Sequence, residues 1–71
     1  MNKTSAYVTI VRYETTGTEL AFGSIKTAVA YLNRMFPRFK LKAEDVWQTK
    51  LDEGNVYRYD FISIRKVKKM Q

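Results

Sequence analysis

The sequence predicts a two-layer α+β domain, with one α-helix over about residues 24–36 packed on a three- to four-stranded antiparallel sheet in the order β-(β)-α-β-β. Three observations support this prediction. Residues 6–13 are β-branched and aromatic, residues 24–36 have helical periodicity, and residues 46–64 contain two strand-like arms around a Gly-Asn pair. Because the helix and the sheet each have an apolar side, they are expected to bury those sides against each other.

The first strand is predicted over residues 6–13, where apolar residues occupy both faces. This composition is typical of a strand inside a sheet rather than at its edge. A turn is predicted over residues 14–18, where Gly17 is free to take positive φ. Residues 19–22 are interpreted either as a short returning strand or as the approach to the helix, and the returning strand is the preferred interpretation.

The helix is predicted because apolar residues recur at the i, i+3, i+4, i+7 spacing of one helical stripe. The stripe consists of Ile25, Ala28, Val29, Leu32, Met35 and Phe36. Ser24 is placed to cap the first turn, and Pro37 ends the helix because it pushes the preceding residue out of the α region. In the basic loop that follows, Phe39 and Leu41 are expected to pin the chain to the core.

A second hairpin is predicted between residues 46–52 and 56–64. A three-residue loop, 53–55, buries one consistent set of side chains, whereas a two-residue Gly54-Asn55 turn mixes the two faces. The three-residue loop sets Asp52 opposite Val56, Leu51 opposite Tyr57 and Trp47 opposite Phe61. The face predicted to receive the helix then carries Trp47, Leu51, Tyr57, Tyr59 and Phe61.

The other face of this hairpin is expected to be open. It is predicted to carry Val46, Gln48, Lys50, Arg58, Asp60, Ile62 and Ile64. Lys50 would lie opposite Arg58, where the two like charges repel each other. Either the diagonal aspartates relieve this repulsion, or the pair binds an anion. Ile62 and Ile64 would add apolar surface for an interface.

The 71 residues predict a single small domain, 1–71, with residues 1–5 and 68–71 flexible. Its core is expected to supply only about 3–5 kcal/mol of net stability. The chain contains no cysteine and no histidine, so no disulfide, metal site or cofactor is expected, and no nucleophile–base pair or glycine-rich phosphate loop indicates an enzyme. No signal peptide or membrane span is expected, which favours a cytoplasmic location.

The formal charge of +6 favours an anionic partner, either nucleic acid, with DNA preferred over RNA, or an acidic protein surface. The densest cluster lies at residues 65–69, which can act as a phosphate-binding arm or as a solvating tail. The predicted phosphate-binding residues are Arg65, Lys66, Lys68 and Lys69, then Arg38, Lys40 and Lys42, and the pair of Lys50 and Arg58. These clusters form one patch only if the fold brings them together.

Residues 8–32 resemble the NUMOD-type modular repeats that are attached to some homing endonucleases and their relatives. The matching residues are Val8, Val11, Tyr13, Gly17, Leu20, Phe22, Ser24, Ile25, Ala28, Tyr31 and Leu32. The resemblance implies DNA binding. It covers about a third of the chain, and where the family continues into a second helix this chain has Pro37 and then β-like sequence. The size and basic character also resemble those of small accessory proteins of phages and mobile elements.

The sequence therefore predicts a non-enzymatic protein that binds nucleic acid through phosphate contacts. The alternative is a protein-binding regulator or inhibitor that uses the open sheet face or a strand edge, and homodimerisation through that face is a third option. Tyr7, Tyr13 and Tyr31 either stack on unpaired bases or fill the core, and the core is the preferred interpretation.

Overall fold

The strands form one antiparallel sheet in the order β2-β1-β4-β3, in a computed structural model that describes residues 7–68. Their bounds are β1 Tyr7–Tyr13, β2 Glu19–Phe22, β3 Tyr57–Tyr59 and β4 Ile62–Lys68. The first hairpin is confirmed, with Arg12 opposite Glu19 and Thr9 opposite Phe22. The first and last strands are the central pair, so the internal position predicted for the first strand is confirmed.

Two α-helices lie on one side of this sheet, α1 at Ile25–Met35 and α2 at Ala43–Gln48. The predicted cap of α1 is present, since the backbone N–H of Thr27 donates to the Ser24 hydroxyl at 3.2 Å. Short 3₁₀ turns at Pro37–Phe39 and Leu51–Glu53 follow the two helices. None of the helices within residues 7–68 is long and apolar enough to cross a membrane.

The core lies between α1 and the two central strands. Residues directly opposite each other in an antiparallel sheet share a face, so the pairing of Val11 with Ile64 places both on the helix side. The buried apolar residues are Val11, Ile25, Ala28, Val29, Leu32, Phe39, Leu41, Val46, Leu51, Ile62 and Ile64. The two-layer α+β class is confirmed, as is the burial of Phe39 and Leu41.

The predicted strand over residues 46–52 is wrong, because α2 and the second 3₁₀ turn occupy this part of the chain. Glu44 and Asp45 lie in the first turn of α2, where negative charge stabilises a helix. Val46 is fully buried, so its contact with the core fixes the orientation of this short helix. The β propensity of Val46 and Trp47 is overridden by that tertiary contact.

The predicted register of the second hairpin is also wrong. The hairpin joins β3 to β4 through the two residues Asp60 and Phe61, with Tyr59 opposite Ile62. Asp60 takes φ +52°, and aspartate tolerates this left-handed conformation better than most residues. The sequence from 56 to 64 is therefore two strands around a tight turn, not one strand.

Two consequences of that register fail with it. Trp47 is 53% exposed, so it is not part of the surface that packs against α1. Leu51 is buried and Phe61 packs against the core. Ile62 and Ile64 lie in the core and not on an open face, because they are opposite Tyr13 and Val11.

The predicted pairing of Lys50 with Arg58 is absent from residues 7–68. Arg58 is opposite Ser63, while Lys50 follows α2 with φ +60°. The segments predicted to be flexible, 1–5 and 68–71, lie outside the described residues except for Lys68, which ends β4.

Leu32 and Met35 provide a direct test of the core. Leu32→Ala removes a fully buried side chain and is expected to lower the free energy of unfolding by about 2–5 kcal/mol, measured by chemical denaturation. Met35→Ala, at a side chain that is 51% exposed, is expected to change it by no more than about 0.5 kcal/mol. Equal losses from the two variants would contradict the placement of α1.

Candidate functional site

One row of polar side chains crosses the sheet on the face away from the helices. Glu19, Arg12, Ser63 and Arg58 are opposite one another on β2, β1, β4 and β3 in turn. Arg65 lies on the same face, two residues along β4 from Ser63. Ser63 is only 3% exposed, so the longer side chains around it form the surface.

The arginines of this row are held in ion pairs with two glutamates. Glu19 Oε2 lies 2.7 Å from Nη2 of Arg65 and 3.3 Å from Nη1 of Arg12. Glu14 Oε1 lies 3.3 Å from Nε of Arg12, and its Oε2 lies 4.0 Å from Nη1 of Arg58. Of the predicted phosphate-binding residues, Arg65 is therefore closely paired within the protein, whereas Arg58 has a side chain that is 71% exposed and only a distant ion pair.

The same contacts hold both glutamates in the charged form. The hydroxyl of Ser63 donates to Glu14 at 2.6 Å and is the main cause of the lowered pKa of that carboxyl. Desolvation opposes this lowering, and Arg12 adds to it. Hydrogen bonds from Arg65 and then Arg12 lower the pKa of Glu19. This network links residues of all four strands, and it was not predicted because Arg12 pairs with Glu19 only once the first hairpin forms.

Lys66 lies on the other face of the sheet, directly opposite Thr9. Its ammonium Nζ is 5.8 Å from the centroid of the Tyr7 ring, within the range of a cation–π contact. Four arginines pair with carboxylates, but within residues 7–68 no ion pair of Lys66 or Lys68 is found. Lys68 is exposed and lies opposite Tyr7, at the same end of the sheet.

Lys66 helps to line an open pocket of about 300 Å³ where β2 passes into α1. The other lining residues are Tyr7, Thr9, Gly23, Ser24, Ile25 and Trp47. We call this the Lys66 pocket. It combines one cation, two aromatic rings and the start of a helix.

The start of α1 adds positive potential to the Lys66 pocket. The first backbone N–H groups of a helix have no intrahelical acceptor, and the aligned peptide dipoles place partial positive charge there. Ser24 satisfies one of these groups, and the first turn of α1 contains no acidic residue that would neutralise the charge. The pocket therefore suits an anionic group better than a neutral one.

The predicted cations near Pro37 lie elsewhere. Arg38 contacts Asp60 at 3.9 Å, and Asp60 belongs to the turn before β4, at the opposite end of the sheet from Lys66. From Ile62 to Lys66 the strand extends about 13 Å. The Arg38 and Lys66 clusters therefore do not form one patch.

Lys40 and Lys42 flank Leu41, whose backbone is bonded to the Asn33 side chain at 2.7 and 2.9 Å. Neither lysine lines the pocket, although Lys42 directly precedes α2, which carries Trp47.

Lys50 is closer to the Lys66 pocket, since its backbone N–H donates to the carbonyl of Trp47 at 3.0 Å. Lys69 lies outside the described residues. Tyr13 and Tyr31 pack against the core, which was the preferred interpretation of these tyrosines, whereas Tyr7 lines the pocket. Trp47 is the residue of this site that sequence analysis missed, because its assignment to a strand face placed it in the core.

A comparison with family models, curated proteins and solved structures finds no match to this chain. The resemblance to modular DNA-binding repeats therefore stays a prediction.

The glutamate network predicts a loss of stability in acid. The folded-state pKa values of Glu14 and Glu19 are lowered, so their contribution is present above the unfolded value near 4.5 and is lost as the pH falls through the folded values. Glu19→Gln is expected to flatten the dependence of the free energy of unfolding on pH below about 4.5. The measurement is urea denaturation across the acid range.

Glu53→Gln is the matched control, since it removes the same charge from an exposed glutamate with no ion pair found within residues 7–68. If both variants have the same pH dependence as the parent chain, the network does not contribute.

Proposed function

We propose that this protein binds nucleic acid through phosphate contacts at the end of the sheet that carries Lys66 and Lys68. The observation that supports the proposal best is the Lys66 pocket, where an ammonium group without an ion pair in residues 7–68 lies beside the start of α1. Electrostatic attraction to phosphates supplies most non-specific affinity for nucleic acid. The net charge of +6 supports the same partner class.

The proposal narrows the predicted set of contact residues. Lys66 and Lys68 are the primary contacts, with Lys50 and Lys69 next to be tested. Arg58 and Arg65 are secondary, because a phosphate would have to compete with Glu14 and Glu19. The resemblance of residues 8–32 to DNA-binding repeats makes DNA the first nucleic acid to test.

The proposed function is binding without catalysis. The sequence contains no histidine and no cysteine, so the pocket has no side chain with an ordinary pKa close to neutrality for proton transfer.

Reversing two lysines tests the location of binding. Lys66→Glu/Lys68→Glu is expected to weaken binding of a labelled DNA oligonucleotide by about tenfold or more for each contact, because each lysine donates a charge-assisted bond to phosphate. The slope of log affinity against log salt is expected to fall by about 0.7 for each lysine that no longer neutralises a phosphate of a single strand. Fluorescence anisotropy at several salt concentrations measures both quantities.

The matched control is Lys40→Glu/Lys42→Glu, which makes the same change in net charge at two exposed lysines that do not line the pocket. It is expected to reduce affinity much less. Equal effects of the two double variants would assign binding to net charge alone, and no DNA binding at low salt would refute the proposal.

Protein binding through the face away from the helices is a second candidate. This face carries Val67, which is 38% exposed and directly opposite Val8, beside the paired Arg65 and Glu19. Apolar side chains rimmed by charged ones are typical of a protein interface. The parent chain should then capture a protein partner from a nuclease-treated extract, and the Val67→Lys variant should not. Capture of the same partner by the variant would contradict this location.

A further inference from the structure

We propose that the Lys66 pocket accepts one unpaired nucleotide of a single strand, with its phosphate beside Lys66 and its base stacked on Trp47. The inference rests on the nucleic-acid function proposed above and goes further, because it specifies single strands over duplexes and gives Trp47 a direct contact. It follows from the exposure of Trp47, the polar groups around the pocket and the pocket's size.

Trp47 is a large aromatic side chain that the fold leaves half in solvent. Helix α2 directs Val46 into the core, and one residue later Trp47 is 53% exposed at the rim of the pocket. Indole rings are usually buried over most of their surface, and their exposure beside a cation is typical of a binding site. Because every base has a π-face, stacking on such a ring is tolerant of sequence.

The polar side of the pocket matches a phosphate. Lys66 supplies a full charge, and the first turn of α1 supplies backbone N–H groups and the positive end of its dipole. Thr9 adds a hydroxyl. It lines the pocket from β1, directly opposite Lys66. In the proposed complex a phosphate oxygen accepts a hydrogen bond from this hydroxyl.

The size and shape of the pocket favour an unpaired nucleotide. A volume of about 300 Å³ is at the lower end of the range for small-ligand sites, which suits a single nucleotide. In a duplex each base is stacked between its neighbours, so it offers no face to Trp47 without being flipped out. The duplex can still contact Lys66 and Lys68 through its backbone, but without stacking.

The intrinsic fluorescence of Trp47 tests this contact, because the chain contains one tryptophan. Three probes are titrated in parallel: a short oligothymidylate, an abasic strand of the same length, and the corresponding duplex. We expect the oligothymidylate to quench the emission and to bind about 5- to 100-fold more tightly than the abasic strand, from the usual strength of one base–aromatic stack. The abasic strand and the duplex should bind without quenching.

These outcomes separate this inference from the proposed function. Equal affinities for the oligothymidylate and the abasic strand, or binding without any change in Trp47 emission, would overturn the single-nucleotide site and leave phosphate binding intact. If none of the three probes binds at low salt, the proposed function fails and this inference fails with it.

Two variants keep the test independent of charge. Trp47→Ala is expected to weaken oligothymidylate binding about 5- to 100-fold while the salt slope stays unchanged, measured by anisotropy of the labelled strand. Met35→Ala is the matched control, since that apolar side chain is 51% exposed and does not line the pocket. Equal effects of these variants, or a changed salt slope for Trp47→Ala, would contradict stacking.

Gly23→Leu provides a second route that leaves Trp47 in place. A Cβ at Gly23 meets no atom within 4 Å, so a side chain can begin at this lining position without a clash of its Cβ. We expect it to reduce both the quenching and the preference for oligothymidylate over the abasic strand, with thermal unfolding as the check on folding. Retention of both signals in a folded variant would place the nucleotide outside the pocket.

Discussion

The structure depends on the burial of one side of α1 against the two central strands. Leu32 and Ala28 are fully buried there, opposite a sheet surface formed by Val11 and Ile64. Only two residues separate the end of β2 from α1, so this packing also fixes where the helix begins. The first turn of α1 must lie beside Thr9 and Lys66. The same contact that closes the core therefore creates the positive pocket.

A single helical layer leaves the second face of the sheet without apolar cover, and this determines the distribution of charge. Arg12, Arg58 and Arg65 meet Glu14 and Glu19 across the strands, where planar guanidinium groups suit carboxylates. Lysines with no ion pair found in residues 7–68 contribute positive charge that remains available to a partner. The two faces of the sheet therefore differ: the paired arginines lie on the face away from the helices, and Lys66 and Lys68 lie on the helix side at one end.

The first half of the fold could be predicted from the sequence because its signals are local. Ser24 and Pro37 bound a helix of three turns, and the apolar residues between them repeat often enough to define one face. Residues 43–53 lack that redundancy. A six-residue helix contains less than two turns, which is too few to show helical periodicity. The sequence around Val46 and Trp47 is therefore equally compatible with a strand. The site was only partly predictable, since Lys66 stands out by charge but its neighbour Trp47 is brought there by tertiary packing.

The orientation of α2 decides which of two neighbouring side chains, Val46 or Trp47, is buried. Successive residues of a helix point about 100° apart, so α2 would have to rotate by about that angle to bury the indole in place of Val46. Burial of the larger side chain would remove more apolar surface from water, but extra volume forced into a packed core costs about 1–3 kcal/mol. The fold instead buries Val46 and leaves Trp47 half-exposed beside Lys66. The packing of Val46 therefore accounts for the orientation of α2, and the proposed ligand would cover the apolar surface of the indole that this orientation leaves exposed.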